Sequence, residues 1–228
     1  MNNKPNLILL HGWSQNPNYF NFIKPLLENK YKIFSPIMPG FGDTKINTSY
    51  NLDKYADWLK NFIIKNKINN PILLGHSFGG SVCVKFLFKY PNKKIKLILV
   101  NAAIIKDKHS FIKKTFYFFF YIVKPIMELF GLIKFNKLNY QNINSSIMKK
   151  TFQNTVFSDI IKETATLNNK TLIIWGKKDK ITPLDLGKKI NKTMKNSIFK
   201  IIPNSGHYPF LDEASLFVSC LDKFIIKV

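Results

Sequence analysis

The segment Gly75-His76-Ser77-Phe78-Gly79 directly follows the apolar run Pro71-Ile72-Leu73-Leu74. A buried strand that turns through Gly-x-Ser-x-Gly into a helix holds its serine in a strained conformation, and only small residues fit two positions before and after it. The turn lifts the hydroxyl clear of the sheet and directs the first amides of the helix at negative charge developing beside it. The pattern predicts a strand, a sharp turn and a helix, with Ser77 as a nucleophile.

A serine nucleophile needs a base, and the base needs an acid that orients it. His207 lies in a loop just after the strand-like run 198–202, and Asp179 lies just after the run 171–174. All three side chains therefore follow strands, at the edge of a parallel sheet where active sites form. The chain order Ser, Asp, His differs from the orders of the chymotrypsin and subtilisin arrangements.

The apolar pattern predicts an α/β fold with a compact, mostly parallel sheet of about six strands and helices on both faces. Helical spacing is clearest for Leu52, Tyr55, Ala56, Leu59, Phe62 and Ile63, and again for Phe217, Cys220, Leu221 and Phe224. The predicted strands are about 7–10, 33–37, 71–74, 96–100, 171–175 and 198–202.

Residues 7–103 and 168–227 resemble the α/β-hydrolase superfamily, in its group of esterases, epoxide hydrolases and C–C hydrolases. The resemblance implies one α/β-hydrolase domain over 1–228, without the two N-terminal strands common in the family and with a small helical cap inserted at about 104–165. It also implies Ser77 as nucleophile, His207 as base and Asp179 as acid, with no cofactor. The matching motifs are Leu10-His11-Gly12-Trp13, Pro39-Gly40-Phe41-Gly42, Gly75-His76-Ser77-Phe78-Gly79-Gly80, Trp175-Gly176-x-x-Asp179 and Gly206-His207-x-Pro209-Phe210.

Asp159, Asp185 and Asp212 are the alternatives to Asp179. Asp185 is predicted in or beside the next helix, and Asp212 is too near the loop of His207. Asp159 lies at the end of the cap, which the resemblance implies as another position for the acid. Among the other histidines, His11 is expected to brace its loop, His76 to pack near the turn and His109 to lie on the cap surface. Ile37 and Met38 stand where relatives commonly carry an acidic residue, so one loop contact is expected to be lost.

The backbone amide of Phe78 is an expected oxyanion donor because it follows the nucleophile, and the resemblance implies the amide of Trp13 as the second donor, since the family builds that donor after the first strand. The side chains of Trp13, Phe78, Phe116 and Phe120 are expected to line the substrate pocket. Phe116 and Phe120 belong to the uncharged run 116–123 in the cap. That run is interpreted as a roof over an apolar pocket, and the alternative is weak contact with a membrane surface, supported by flanking lysines.

The formal charge of +22 suggests an anionic partner. All 35 basic residues are lysine, however, and nucleic-acid surfaces usually exploit the bidentate fork of arginine. We therefore expect a solvated lysine surface and no specific nucleic-acid site, with an acidic carrier protein as the remaining candidate partner.

No residue cluster has metal-ligand spacing, and neither a signal peptide nor a membrane span of about 18 residues is recognisable. Cys83 and Cys220 form no disulfide framework, which favours a reducing cytoplasm. Cys83 lies near Ser77 in sequence and is expected to be buried packing in the helix.

The expected function is cleavage of small or medium apolar acyl esters by a serine carboxylesterase. A serine at the turn argues against the dehalogenases and epoxide hydrolases of this superfamily, which use aspartate there. One alternative is an enzyme like the pimeloyl-acyl carrier protein methyl ester esterases, since the motif from Leu9 to Trp13 resembles theirs. Another is a C–C bond hydrolase of ring-fission products, although the arginine such enzymes typically place in the cap is missing. A non-enzymatic binding module is the alternative outside enzymes.

Overall fold

The computed structural model describes residues 4–106, 145–156 and 158–226. Within these residues, six strands form one sheet in which every neighbouring pair is parallel. The predicted α/β class is confirmed, and each strand overlaps one of the six predicted runs. The strands are β1 Asn6–Leu10, β2 Lys32–Phe34, β3 Ile72–His76, β4 Lys96–Val100, β5 Thr171–Gly176 and β6 Ser197–Ile202.

The strand order is β2-β1-β3-β4-β5-β6. The chain continues from β1 toward one edge of the sheet and from β3 toward the other, so the order reverses between these two strands. Ligands of such sheets bind in the crevice beyond the carboxyl ends of the strands at this point. Trp13 follows β1 and Ser77 follows β3, so both lie at the crevice.

Strand β2 is shorter than the predicted run 33–37 and ends at Phe34. Pro36 follows, and a proline has no amide hydrogen to donate to the ladder. β2 also lies at the edge of the sheet, where it pairs with β1 alone. The loop beyond Pro36 contacts the loop after β1, where the amide of Met38 donates to His11 Nε2 at 3.1 Å.

Helices cover both faces of the sheet, as predicted. The two clearest helical patterns are confirmed by α2 and α8, and the side chain of Asn51 caps α2 by accepting a hydrogen bond from the amide of Lys54. A short 3-10 helix, Pro17–Phe20, follows β1. The helices are α1 Lys24–Leu27, α2 Leu52–Lys65, α3 Phe78–Lys89, α4 Ser146–Thr155, α5 Ile161–Thr166, α6 Leu184–Thr193, α7 Pro209–Asp212 and α8 Ala214–Ile226.

The hydrophobic core has two layers, one on each face of the sheet. Side chains alternate along each strand, so Leu73 and Leu97 point into the layer beneath α2 and α3, while Leu74 and Ile98 point into the layer beneath α8. β3 is buried along its whole length, as expected for a central parallel strand.

Helices α4 and α5 belong to the predicted cap, while its residues 107–144 lie outside the described residues. The Thr151 hydroxyl of α4 accepts a hydrogen bond from the amide of Tyr50 at 3.0 Å. Lys85 of α3 lies 3.6 Å from Glu163 of α5. The described part of the cap is thus attached to the loop before α2 and to α3.

Among the described residues, no helix combines the length and apolar character needed to cross a membrane.

We expect Gly79→Ala to destabilise the fold, because α3 begins against the end of β1. A Cβ atom at Gly79 would lie 2.3 Å from the carbonyl oxygen of Leu10, and relieving that overlap requires backbone movement costing on the order of 1–3 kcal/mol. Gly206→Ala is the matched control, since a Cβ there would meet only Asp212 Oδ2, at 3.8 Å. Urea unfolding of both variants measures the difference, and equal stabilities would contradict the packing argument.

Candidate active site

The predicted sharp turn lies between β3 and α3. Ser77 adopts φ 51° and ψ −115°, a conformation that non-glycine residues rarely occupy. Hydrogen bonds hold it there, because the Ser77 amide donates to the Val100 carbonyl at 2.9 Å and its carbonyl accepts from the amide of Ala103 at 3.0 Å. The half-buried side chain therefore projects from a turn fixed to the end of β4.

The structure brings Asp179 and His207 into direct contact. His207 Nδ1 donates to Asp179 Oδ2 at 2.8 Å, and both side chains are buried. Asp179 follows β5, and His207 follows β6. This contact leaves Nε2 of His207 as the ring nitrogen available to a reacting group.

The Asp179 carboxylate receives hydrogen bonds on both oxygens. Oδ1 accepts from the amides of Ile181 at 2.7 Å and Thr182 at 2.9 Å, while Oδ2 accepts from the Thr182 hydroxyl at 2.6 Å and from Asn101. Burial alone would raise the pKa of Asp179, but the hydrogen bond and charge of His207, with the bonds from Thr182 and Asn101, hold that pKa below its ordinary value. The carboxylate is therefore ionised beside His207.

Asn101 and Thr182 were missed by the sequence analysis. Asn101 is fully buried directly after β4, and its side chain contacts Asp179 Oδ2. Its position in the sequence could have indicated it. Asn101 is a polar residue directly after a buried strand, and Asp179 and His207 likewise follow strands within a few residues. Thr182 gave no comparable signal, since its contact depends on the loop that folds back over Asp179.

His76 forms a second, buried contact with the loop of His207. A carbonyl can only accept, so His76 Nε2 carries the hydrogen that it donates to the His207 carbonyl at 2.8 Å. Burial is the main reason that the pKa of His76 lies well below its ordinary value.

Gln15 is another residue that the sequence did not indicate. It links the loop after β1 to the loop of His207, because its Oε1 accepts from the Gly12 amide at 2.9 Å and its Nε2 donates to the Tyr208 hydroxyl at 3.3 Å.

The amides of Trp13 and Phe78 lie in the two segments that meet at the crevice. The Phe78 amide is in the first turn of α3, where amides have no partner within the helix. Their side chains belong to an aromatic cluster, in which Trp13 packs edge-to-face on Phe41, Phe78 and Phe152 with centroids 5.0–5.3 Å apart. Trp13 is only 9% exposed and Phe78 only 1%. Substrate contact by these side chains stays a prediction, as it does for Phe116 and Phe120, which lie outside the described residues.

His11 braces the loop after β1. Its Nδ1 donates to the Gly12 carbonyl at 2.9 Å and its Nε2 accepts from the Met38 amide at 3.1 Å, so the neutral ring is fully paired. Burial lowers the pKa of His11 to about 4, against a small opposing effect of the Gly12 carbonyl. Ile37 and Met38 supply no carboxylate to this loop, but the backbone amide of Met38 ties it to His11.

The other predicted carboxylates lie in different settings. Asp159 Oδ1 accepts from the amide of Ile161 at the start of α5, and Asp185 pairs with Lys188 at 3.2 Å. Asp212 Oδ2 accepts from the Gly206 amide at 2.8 Å, so it holds the loop of His207 without contacting the ring. Among the described residues, no cluster of histidine, cysteine or carboxylate side chains could hold a metal ion.

A family model of the alpha/beta hydrolase fold matches residues 5–124 and 133–214. The chain is 26% identical to the pimeloyl-[acyl-carrier protein] methyl ester esterase of Wigglesworthia glossinidia brevipalpis, over 97% of this chain and 94% of that protein. The fold is shared by solved structures that include an esterase and a meta-cleavage product hydrolase. An esterase from Exiguobacterium antarcticum superposes with a TM-score of 0.80, 23% identity and coverage of 98% of this chain and 92% of its own. A meta-cleavage product hydrolase from Pseudomonas fluorescens superposes with a TM-score of 0.79 and 18% identity, and the match covers 98% of this chain and 91% of its own.

The buried neutral state of His11 predicts a loss of stability in acid. The unfolded chain takes up a proton at this residue near pH 6.5, whereas the folded chain does so only at about 4. Stability is therefore lost as the pH falls from 6.5 toward 4, and the wild type should lose about 2 kcal/mol more than His11→Gln between about pH 7 and pH 5. His76 acts in the same direction in both proteins, so urea unfolding of the pair isolates His11. Equal losses in the two proteins would refute this assignment.

Proposed function

Because the chain belongs to the alpha/beta hydrolase family, we propose that it is a serine hydrolase, specifically a carboxylesterase acting on small or medium apolar acyl esters. The observation that carries this proposal is the hydrogen bond of 2.8 Å between Asp179 and His207, at the same edge of the sheet as the strained turn of Ser77. The three side chains have the types and chain order of a Ser-Asp-His triad.

The reaction proceeds through an acyl-enzyme. His207 Nε2 takes the proton of the Ser77 hydroxyl while its oxygen attacks the acyl carbon, and Asp179 keeps the hydrogen on Nδ1 and stabilises the imidazolium. The tetrahedral intermediate then expels the alcohol, which receives the proton from His207. Water repeats the sequence with His207 as base and releases the carboxylic acid and free Ser77.

The amides of Phe78 and Trp13 are the proposed donors to the tetrahedral oxyanion. Each such donor contributes roughly 3–4 kcal/mol to the transition state. The close approach of Gly79 in α3 to the Leu10 carbonyl at the end of β1 supports this pairing, because it brings the two segments that carry these amides together.

The proposed preference for apolar acyl groups rests on the surroundings of the site. The aromatic cluster of Trp13, Phe41, Phe78 and Phe152 lies next to the turn. The chain contains no arginine that could bind a substrate carboxylate with two hydrogen bonds. The proposed roof at Phe116 and Phe120 extends the same apolar character.

A second candidate is hydrolysis of a methyl ester carried by an acidic carrier protein. Two observations favour it, the 26% identity to the methyl ester esterase and the net charge of +22. A basic surface accelerates association with an acidic partner. The C–C hydrolase alternative has weaker support, because the likeness to the meta-cleavage product hydrolase shows the fold alone.

The test of the proposed function is hydrolysis of acyl esters of increasing chain length. We expect the rate to rise with acyl length up to a pocket limit, and Ser77→Ala to lower turnover by on the order of 10⁶. A fluorophosphonate probe should label Ser77 in the wild type.

Ser81→Ala is the matched control, since Ser81 lies one helical turn further along α3 and its hydroxyl donates to the Ala103 carbonyl. It should remain active and be labelled. Ester hydrolysis that survives Ser77→Ala would refute the nucleophile, whereas a methyl ester on a carrier protein cleaved far faster than any free ester would favour the second candidate.

Asp179→Asn should reduce turnover by about 10⁴ while the fold is retained, because the amide favours the wrong tautomer of His207. Asp159→Asn and Asp185→Asn are matched controls, since these carboxylates contact an amide at the start of α5 and a lysine respectively. Steady-state kinetics with circular dichroism as a check of folding measures the effect. A crippling Asp159→Asn change would show that the acid is misassigned.

A further inference from the structure

Asn101 occupies an unusual backbone conformation at the end of β4. Its φ is 46°, in the left-handed region that a non-glycine residue visits rarely and at some energetic cost. Its amide donates a hydrogen bond to the Ile174 carbonyl at 3.1 Å, and its carbonyl lies 3.2 Å from the Thr182 hydroxyl oxygen, whose single hydrogen is donated to Asp179 Oδ2 at 2.6 Å. The strain turns a polar side chain into the fully buried space between the ends of β4 and β5.

The Asn101 side chain connects the two loops that carry Asp179 and His207. Its Nδ2 donates to Asp179 Oδ2 and also to the Gly206 carbonyl at 3.3 Å, directly before His207. Its Oδ1 accepts from the Gly176 amide at 3.3 Å, three residues before Asp179. One buried amide therefore uses both its donor and its acceptor atoms on these two loops.

We propose that Asn101 is a positioning residue that acts on His207 through Asp179, with the Thr182 hydroxyl as its partner on the same carboxylate oxygen. The catalytic meaning of this role rests on the proposed function, in which His207 is the base. Asn101 fixes the distance between the two loops. It also donates to Asp179 Oδ2, the oxygen that accepts the hydrogen bond of His207.

The chemical reason lies in the competition of donors for one oxygen. Oδ2 of Asp179 accepts from His207 at 2.8 Å, from Thr182 at 2.6 Å and from Asn101. Each donor withdraws part of the negative charge, so each weakens the preference of His207 for its protonated form. A base must be unprotonated to accept the serine proton, so a donor that shares Oδ2 with His207 favours the form that the proposed reaction needs.

The titratable groups that contact His207 among the described residues are Asp179 after β5, His76 at the end of β3 and Tyr208 in its own loop. The rings of His76 and Tyr208 lie 4.8 Å and 5.2 Å from the His207 ring. Changing Asn101 or Thr182 alters none of these three groups. The Thr182 hydroxyl also lies 3.4 Å from His207 Nδ1, so Asn101→Gly is the variant in which a change in the titration of His207 reports the loss of a donor to Asp179 alone.

The test is an NMR titration of the His207 ring in Asn101→Gly and in Thr182→Val. Glycine accepts the left-handed backbone without strain, and valine keeps the shape of threonine without its hydroxyl. Each variant removes one donor from Asp179 Oδ2, so the pKa of His207 should rise by roughly half a unit to one unit. The acid limb of kcat/KM should move to higher pH by the same amount.

Asn169→Ala is the matched control. Asn169 is also a buried asparagine, and it donates to the carbonyls of Asn92 and Ile95 before β4 begins, at the opposite end of the sheet. Its replacement should lower stability and leave the titration of His207 unchanged. An unchanged titration in both Asn101→Gly and Thr182→Val would overturn the proposal, as would an equal shift in Asn169→Ala.

The titration needs no substrate, so it separates this proposal from the proposed function. If no ester is hydrolysed but the pKa of His207 still rises in both variants, the positioning role stands and the ester hydrolase assignment fails. If esters are hydrolysed through Ser77 but the titration does not move, the positioning role fails alone.

Discussion

The buried carboxylate of Asp179 is the constraint around which the ends of β4, β5 and β6 are arranged. An ionised group removed from water is unstable unless donors replace its hydration. Here those donors come from its own loop, from Asn101 after β4 and from His207 after β6. Satisfying one charge therefore fixes the relative positions of three strand ends, and the base is held as a consequence of that requirement.

Much of the fold could be read from the sequence, because its elements are strongly patterned. The strand β3, the turn at Ser77 and the helix α3 follow from a short apolar run and two glycines, and α2 follows from its spacing of apolar residues. The end of β2 was harder to predict. The apolar pattern extends the predicted strand to residue 37, whereas the ladder ends at Phe34, two residues before Pro36.

The candidate site was predictable where chemistry marks the residue type and hidden where only tertiary contacts give a residue its role. Asp179 and His207 are recognisable because an acid and a base must follow strands, and they do contact each other. Asn101 and Gln15 are ordinary polar residues whose contacts with Asp179 and Tyr208 join positions 78 and 193 residues apart, and the Thr182 contact depends on how its own loop turns back over Asp179. Its position after a strand marks Asn101 as a candidate, but the groups that these three side chains contact are given only by the folded structure.

The backbone strain at Ser77 also has a consequence for the order of folding. A left-handed serine is stable only when surrounding structure imposes it, and the contacts that do so come from β4 and from the end of β1. A β3-α3 segment on its own lacks the contacts from β4 and β1, so its serine relaxes to an ordinary backbone conformation. The reactive geometry thus arises only once the central strands are assembled, and an incompletely folded chain carries the same serine as an unremarkable hydroxyl.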